Sequence, residues 1–234
     1  LPGGAAIPAV HADRLRHAEA TGARAVGIAK EGLTPDKIMT KEAFANAFKM
    51  LLATGGSTNG LVHMTAVAGR LGIEVDLDAL DALSDEIPVL VDLKPSGQHY
   101  MEDLNNAGGA TPILREIREN LALDCMTVTG RTLGEEIDSA PADWGQQVVR
   151  PRSNPIYPKG GIAVLKGSLA PNGAIIKQSA AAQHLLKHEG RAVVFENLED
   201  LAERLDDLNL DVNPDDVLVL KNAGPKGAPG MPES

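Results

Sequence analysis

Cysteine is nearly absent: Cys125 is the only one in 234 residues. A lone cysteine excludes an intrachain disulfide framework and any thiolate cluster site made from this chain alone. Placed before the apolar Met126 and Val128, Cys125 reads as a small buried hydrophobe. Aromatic residues make up only 3% of the chain, against 24 glycines and 15 prolines, so the core must be aliphatic and the turns many. No apolar run reaches the roughly 18 residues that a membrane span requires, and no signal-peptide pattern opens the chain. Cations are outnumbered, 22 Lys and Arg against 32 Asp and Glu, for a net charge of −10 and a pI near 5.0. Without a basic stripe to neutralise phosphates, nucleic acid is excluded as a partner. The chain reads as soluble and cytoplasmic, with neither nucleic-acid nor membrane partners.

What is present suffices for one large domain or two small ones, with 43% hydrophobic residues to bury. The first part reads as helices on short connections. A polar-faced helix is expected over Ala9–Ala20, ended by Gly22. Thr40 suits an N-cap before Lys41–Ala53, where Phe44, Phe48, Leu51 and Leu52 recur at helical spacing. After Gly55-Gly56-Ser57-Thr58-Asn59, a second apolar helix carries Leu61, Met64, Val67, Ala68 and Leu71. Further helices are expected at Asp76–Leu83, Tyr100–Asn106, Thr111–Leu121 and Leu133–Ile137, with a buried strand at Pro88–Val91. The character changes near Trp144, and Pro151, Pro155 and Pro158 mark a domain boundary. Beyond it strands are expected at Ile162–Leu165, Ala174–Ile176, Ala192–Phe195 and Val217–Leu220. Asn197 caps one helix, Leu198–Leu208, with Glu199 and Asp200 in its first turn. The expected fold class is α/β: residues 1–150 form a mainly helical portion of an α/β domain, and residues 151–234 the first part of a barrel-like β domain. The opening Leu1-Pro2-Gly3-Gly4 and the abrupt Ser234 read as cuts in a longer chain.

Four segments hold more glycine and small polar residues than packing needs. Gly55–Asn59 offers a tight turn and a helix N-terminus with free N–H groups for a carboxylate or phosphate; the plain alternative is a helix–helix turn capped by Ser57 or Thr58. Asp92-Leu93-Lys94-Pro95-Ser96-Gly97 follows the expected strand, where Lys94 would meet an anion and Ser96 donate a hydrogen bond, or the loop is a solvated turn. Thr127-Val128-Thr129-Gly130 either contacts a ligand through Thr129, or Thr129 caps a turn before the helix at Leu133–Ile137. Asn222–Glu233, with its glycines and stiffening prolines, would hold Glu233 as a hard oxygen ligand suited to Mg²⁺, or it is a connection. Of the six histidines only His184 and His188 stand at i, i+4. They lack the glutamate of a zinc-protease pattern and are expected on one face of a surface helix.

Six segments in order, Leu1–Ala9, Gly55–Asn59, Asp92–Gly97, Thr127–Gly130, Gly160-Gly161 through Leu169-Ala170-Pro171-Asn172-Gly173-Ala174, and Gly224–Glu233, resemble the dihydroxy-acid and sugar-acid dehydratases along the whole chain. The resemblance implies removal of water from a 2,3-dihydroxy carboxylic acid to give a 2-keto acid. It also implies an iron–sulfur cluster as Lewis acid and a Mg²⁺ ion held in part by a carbamylated lysine, with a serine alkoxide as base. Family members form homo-oligomers, and their second half is a swivelling β-barrel. Carried onto this chain, Glu233 matches a Mg²⁺ ligand, and Ser57, Thr58, Asn59, Lys94, Ser96 and Thr129 fall in substrate-facing loops. The cluster cysteines and remaining Mg²⁺ ligands belong upstream of Leu1, and the base serine beyond Ser234, so no catalytic residue is expected here and no turnover from this chain alone. The wording Gly227-Ala228-Pro229-Gly230 looks more like the aldonate (arabinonate, xylonate) branch than the branched-chain amino-acid branch, while the phosphogluconate version of this loop is shorter. Two other readings stay open: a non-catalytic module pairing with a dehydratase subunit, and a plain small-molecule-binding protein using the Gly55–Asn59 and Gly224–Glu233 loops.

Overall fold

The first helix runs further than its glycines suggest. In the computed structural model, which describes residues 1–142 and 145–223, α1 (Ala12–Glu31) passes through Gly22 and Gly27 and stops at Gly32. Gly32 adopts φ +64°, the left-handed C-cap that glycine takes without a Cβ penalty. Glycine in an exposed helix costs only about 1 kcal/mol relative to alanine. Here Arg24 offsets that by binding both oxygens of Glu31, at 2.6 and 2.7 Å, while its Nε donates to the Val128 carbonyl at 2.7 Å.

A short α2 (Pro35–Ile38) leads to α3 (Lys41–Ala53), where the Thr40 hydroxyl accepts the Ala43 N–H at 3.2 Å. Phe44, Phe48 and Leu52 recur at i, i+4 and i+8 and are all buried. They meet Leu61 and Ala68 of α4 (Thr58–Arg70), Leu80 of α5 (Leu77–Glu86), and Ile87, Leu90, Ile113, Ile117 and Ile162. This cluster is aliphatic apart from Phe44 and Phe48, as the composition requires.

Pro88–Val91 is buried and extended but makes only isolated antiparallel bridges, Val89 to Tyr157 and Val91 to Val149. Its remaining bonds go elsewhere: the Leu90 N–H donates to the Ala53 carbonyl at 2.8 Å, and Arg150 N–H to Leu90 carbonyl at 2.8 Å. The proline-rich stretch after Arg150 therefore lies along this core segment. Helices α6 (Met101–Asn106) and α7 (Ala110–Glu116) follow, and a 3₁₀ turn at Arg118–Asn120 replaces the expected last turn of α7. A capping box of Thr132 and Glu135 opens α8 (Leu133–Ser139).

Strands β1 (Ile162–Leu165) and β2 (Ala174–Lys177) form an antiparallel pair, with Ile162 opposite Lys177. β1 is fixed to α5, since Val164 N–H donates to Asp81 at 2.8 Å and the buried Ser84 hydroxyl donates to the Ile162 carbonyl.

The chain divides into two compact units, Leu1–Ala180 and Ala181–Ser234. In the second, β3 (Ala192–Phe195) and β4 (Val217–Leu220) pair in parallel, joined through α9 (Leu198–Arg204). Asn197 caps α9 by accepting the Asp200 N–H at 2.8 Å. The Arg204 guanidinium stacks 4.8 Å from the centre of the fully buried Phe195 ring. The helix ends at Arg204, short of the expected Leu208. His184 and His188 do not share a helix: His184 lies in a 3₁₀ turn (Gln183–Leu185), and the His188 ring is bonded at 2.8 Å to the Asp215 carbonyl. The described strands make two two-stranded sheets, and among the described residues no barrel closes. The fold is thus mixed helix and small sheets, as an incomplete α/β domain would give. No helix among the described residues is long and apolar enough to cross a membrane.

Candidate functional site

The end of α3 builds the turn that the sequence marked. The Thr54 hydroxyl donates back to the Leu51 carbonyl at 2.9 Å, and the N–H groups of Gly55 and Gly56 return to Leu52 and Leu51 at 3.0 and 2.8 Å. Gly55 and Gly56 have φ of +90° and +80°, so the chain reverses where a side chain would be strained. A Cβ on Gly56 would stand 2.5 Å from Ile162 Cγ1. The turn is therefore pressed against the start of β1. Ser57 follows as the N-cap of α4, accepting the Gly60 N–H at 3.2 Å.

Lys94 belongs to a loop closed by backbone bonds: Lys94 N–H to the His99 carbonyl at 2.8 Å, Gly97 N–H to Leu93 at 2.8 Å, and His99 N–H to Asp92 at 2.9 Å. A Cβ on Gly97 would strike Asp92. The Lys94 ammonium lies 3.8 Å from the centre of the Tyr100 ring, a cation–π contact that aims the side chain.

These two loops meet at a cavity of about 540 Å³, bounded also by Gly3 and Ala6, by Met50 and Leu51 of α3, and by Lys177 at the end of β2. Among the described residues its polar side chains are Lys94, Lys177, Ser57 and Thr54, and no Asp or Glu side chain lines it. In a chain of net charge −10, this is a concave, mostly apolar surface whose charged groups, among the described residues, are both cations, an arrangement suited to a small organic anion.

The other marked residues distribute around this cavity or away from it. Thr58 and Asn59 form the first turn of α4 directly after Ser57, and the Asn59 Oδ1 is buried with no hydrogen-bond partner among the described residues. Ser96 borders a small neighbouring pocket with Gly55, Asp92 and Ser179. Thr129 is engaged elsewhere: its hydroxyl donates to the Glu136 carboxylate and lies 2.9 Å from the Thr127 hydroxyl. The Thr129 hydroxyl also accepts the Arg131 N–H at 3.3 Å, so it caps the turn before α8, while Thr132 caps the helix itself. Cys125 is half-buried rather than buried, its Sγ 3.6 Å from the Asn46 amide nitrogen, and burial raises its thiol pKa above the ordinary value. A further cavity of about 410 Å³ is bordered by Asp92, His99 and Arg150.

Reasoning from the sequence missed Lys177. A lysine closing a short strand gives no local sign of a site, and only the register with Ile162 brings it to the Gly55–Ser57 turn. Among the described residues no three His, Cys, Asp or Glu side chains cluster as metal ligands. The described residues thus do not by themselves fit Mg²⁺ or an iron–sulfur cluster, and Glu233 lies outside them.

The chain is similar to known proteins along its whole length. The N-terminal model of the dihydroxy-acid/6-phosphogluconate dehydratases matches residues 1–136, and the C-terminal model matches residues 147–234. Among curated relatives, an L-arabinonate dehydratase of Rhizobium leguminosarum bv. trifolii and an L-arabonate dehydratase of Azospirillum brasilense are each 45% identical over the entire chain. A dihydroxy-acid dehydratase of Ignicoccus hospitalis is 44% identical, again over the entire chain. The chain spans 40% of the length of the first two and 42% of the third.

Proposed function

The chain belongs to the dihydroxy-acid/6-phosphogluconate dehydratase family, and from that premise we propose that it is part of a hydro-lyase that removes water from a 2,3-dihydroxy carboxylic acid. The observation that carries this reading is the cavity between the Gly55–Ser57 turn and the Lys94 loop, which among the described residues has two lysines, a serine hydroxyl and no carboxylate. A dihydroxy acid brings one negative charge and adjacent hydroxyls, which such a surface complements. Lys94 attracts the anion, and the Ser57 hydroxyl hydrogen-bonds it. In the same reading Thr58 and Asn59, in the first turn of α4, and Ser96, in the Lys94 loop, are further substrate-binding residues, whereas the Thr129 hydroxyl is engaged by Glu136.

Loss of water from such an acid needs a proton taken from C2 and a hydroxide leaving C3. The leaving hydroxide requires a Lewis acid, the part an iron–sulfur cluster plays in the family reading. No described residue is assigned to either event: the chain's own share is to bind and orient the acid. In this reading Glu233 is a Mg²⁺ ligand, and the other metal ligands and the base lie outside residues 1–234. The intact protein would be a cytoplasmic homo-oligomer, divided near residue 150 into the cluster-bearing domain and a β-barrel domain of which these strands are the beginning.

The relatives divide between two substrates at almost equal identity. The Gly227-Ala228-Pro229-Gly230 wording favours a sugar acid such as L-arabinonate over a branched dihydroxy acid. Supplying the intact, metal-loaded protein with each acid and trapping the 2-keto product with semicarbazide tests this. Keto acid from the sugar acid is expected; none from either acid would overturn the reading. Residues 1–234 alone are expected to show no turnover.

A further inference from the structure

Lysines near β1 have acidic partners, and Lys177 has none among the described residues. Lys159 binds Asp85 at 2.6 Å and Lys166 binds Asp78, both carboxylates of α5. Among the described residues Lys177 and Lys94 are in no ion pair, although 32 of the chain's side chains are acidic. Lys177 is half-buried and lines the same cavity as Lys94 and Ser57. Its place is set rigidly. Lys177 sits opposite Ile162 in the β1–β2 register, Ile162 is pressed against Gly56, and the neighbouring Gln178 N–H donates to the Gly161 carbonyl at 2.8 Å. Two cations lining one cavity, with no carboxylate among its described lining residues, attract an anion that enters it.

We infer that Lys177 is a substrate-binding residue whose ammonium pairs with the carboxylate of the hydroxy acid, so that β2 supplies the second cation of the site. This rests on the reading of the cavity as the hydroxy-acid site. It assigns to the C-terminal family segment a direct role in a cavity otherwise walled by the N-terminal segment.

The test is calorimetric titration of the intact protein with L-arabinonate and with its uncharged amide. Lys177→Met is expected to weaken binding of the acid ten- to a hundredfold and to leave binding of the amide unchanged. Lys177→Arg should recover most of the loss, and acid binding should weaken as salt is raised. Equal losses for acid and amide would make Lys177 a wall residue and overturn the inference. So would unchanged acid affinity in Lys177→Met, and in that case acid binding by the unmodified protein would leave the cavity reading standing. If the unmodified protein bound neither a sugar acid nor a branched dihydroxy acid, the cavity reading itself would fall. Should Lys177→Met not fold, Lys177→Gln, which keeps a polar side chain of similar reach, carries the same test.

Discussion

Gly161 and Gly55 meet backbone to backbone: a Cβ on Gly161 would stand 2.0 Å from the Gly55 carbonyl oxygen. The turn after α3 and the entry to β1 are therefore one packed junction, and the cavity wall depends on both. Gly160 is as confined, with its N–H donating to the Ser84 carbonyl at 2.6 Å and no room for a Cβ beside Ser84.

Gly161→Ala must separate these backbones, and overpacking of this kind costs about 1–3 kcal/mol. Gly69→Ala is the contrasting substitution, since a Cβ on Gly69 in α4 meets nothing within 4 Å. It should stabilise by about 0.5–1 kcal/mol through the helix preference for alanine. Urea unfolding of the two variants is expected to move in opposite directions.

Much of this architecture could be read from local rules. Thr40 and Asn197 are caps because a short side-chain oxygen can reach the N–H groups of the following turn, and that geometry needs no distant partner. The four strands were visible as apolar runs between turn residues. Long-range bonds decided what was not visible. α1 continues through Gly22 because Arg24 reaches Glu31 and Val128, and Val89 and Val91 form isolated bridges because their partners, Tyr157 and Val149, lie far along the chain. The site shows the same division: Ser57 and Lys94 stood out by their loops, whereas Lys177 depends on strand register.

Asn46 fastens α3 to the segment before Cys125. Its amide nitrogen donates to the Ala122 carbonyl and its oxygen accepts the Ala122 N–H, both at 2.9 Å, and the side chain is buried. Asn46→Ala leaves both backbone groups unpaired, at about 1–3 kcal/mol for each unsatisfied group. A fall in the urea midpoint, with faster labelling of Cys125 by thiol reagents, is the expected outcome.

Ser57 has two roles that substitution can separate. Replacing an N-cap serine by alanine costs about 0.5–2 kcal/mol, and by glycine only a few tenths. Ser57→Gly should therefore keep the melting temperature near that of the unmodified protein, whereas Ser57→Ala lowers it. Both should weaken acid binding by a similar factor, because both remove the hydroxyl. If Ser57→Gly bound the acid normally, Ser57 would be a cap alone.

In the second unit, Arg191 donates to Asp211 at 2.6 Å and to Asp216 at 2.7 Å. Hydrogen bonds from Arg191 are the main reason both carboxyls have pKa values below the ordinary one, and the Asn213 N–H further lowers Asp216. A depressed carboxyl stabilises the fold above its unfolded pKa, about 4. That contribution disappears as pH falls through the lower folded values. Arg191→Met should return both carboxyls toward the ordinary range, observable by carbon-detected NMR titration. Unchanged titration of Asp211 and Asp216 would contradict the assigned cause.

The most direct test of the central claim, that this cavity receives a hydroxy acid, is hydrogen–deuterium exchange of the intact protein with and without L-arabinonate. Residues 57–60, 93–97 and 174–177 should gain protection together on adding the acid, while residues 127–131 stay unchanged. Protection confined to other segments, or none at saturating acid, would contradict the account.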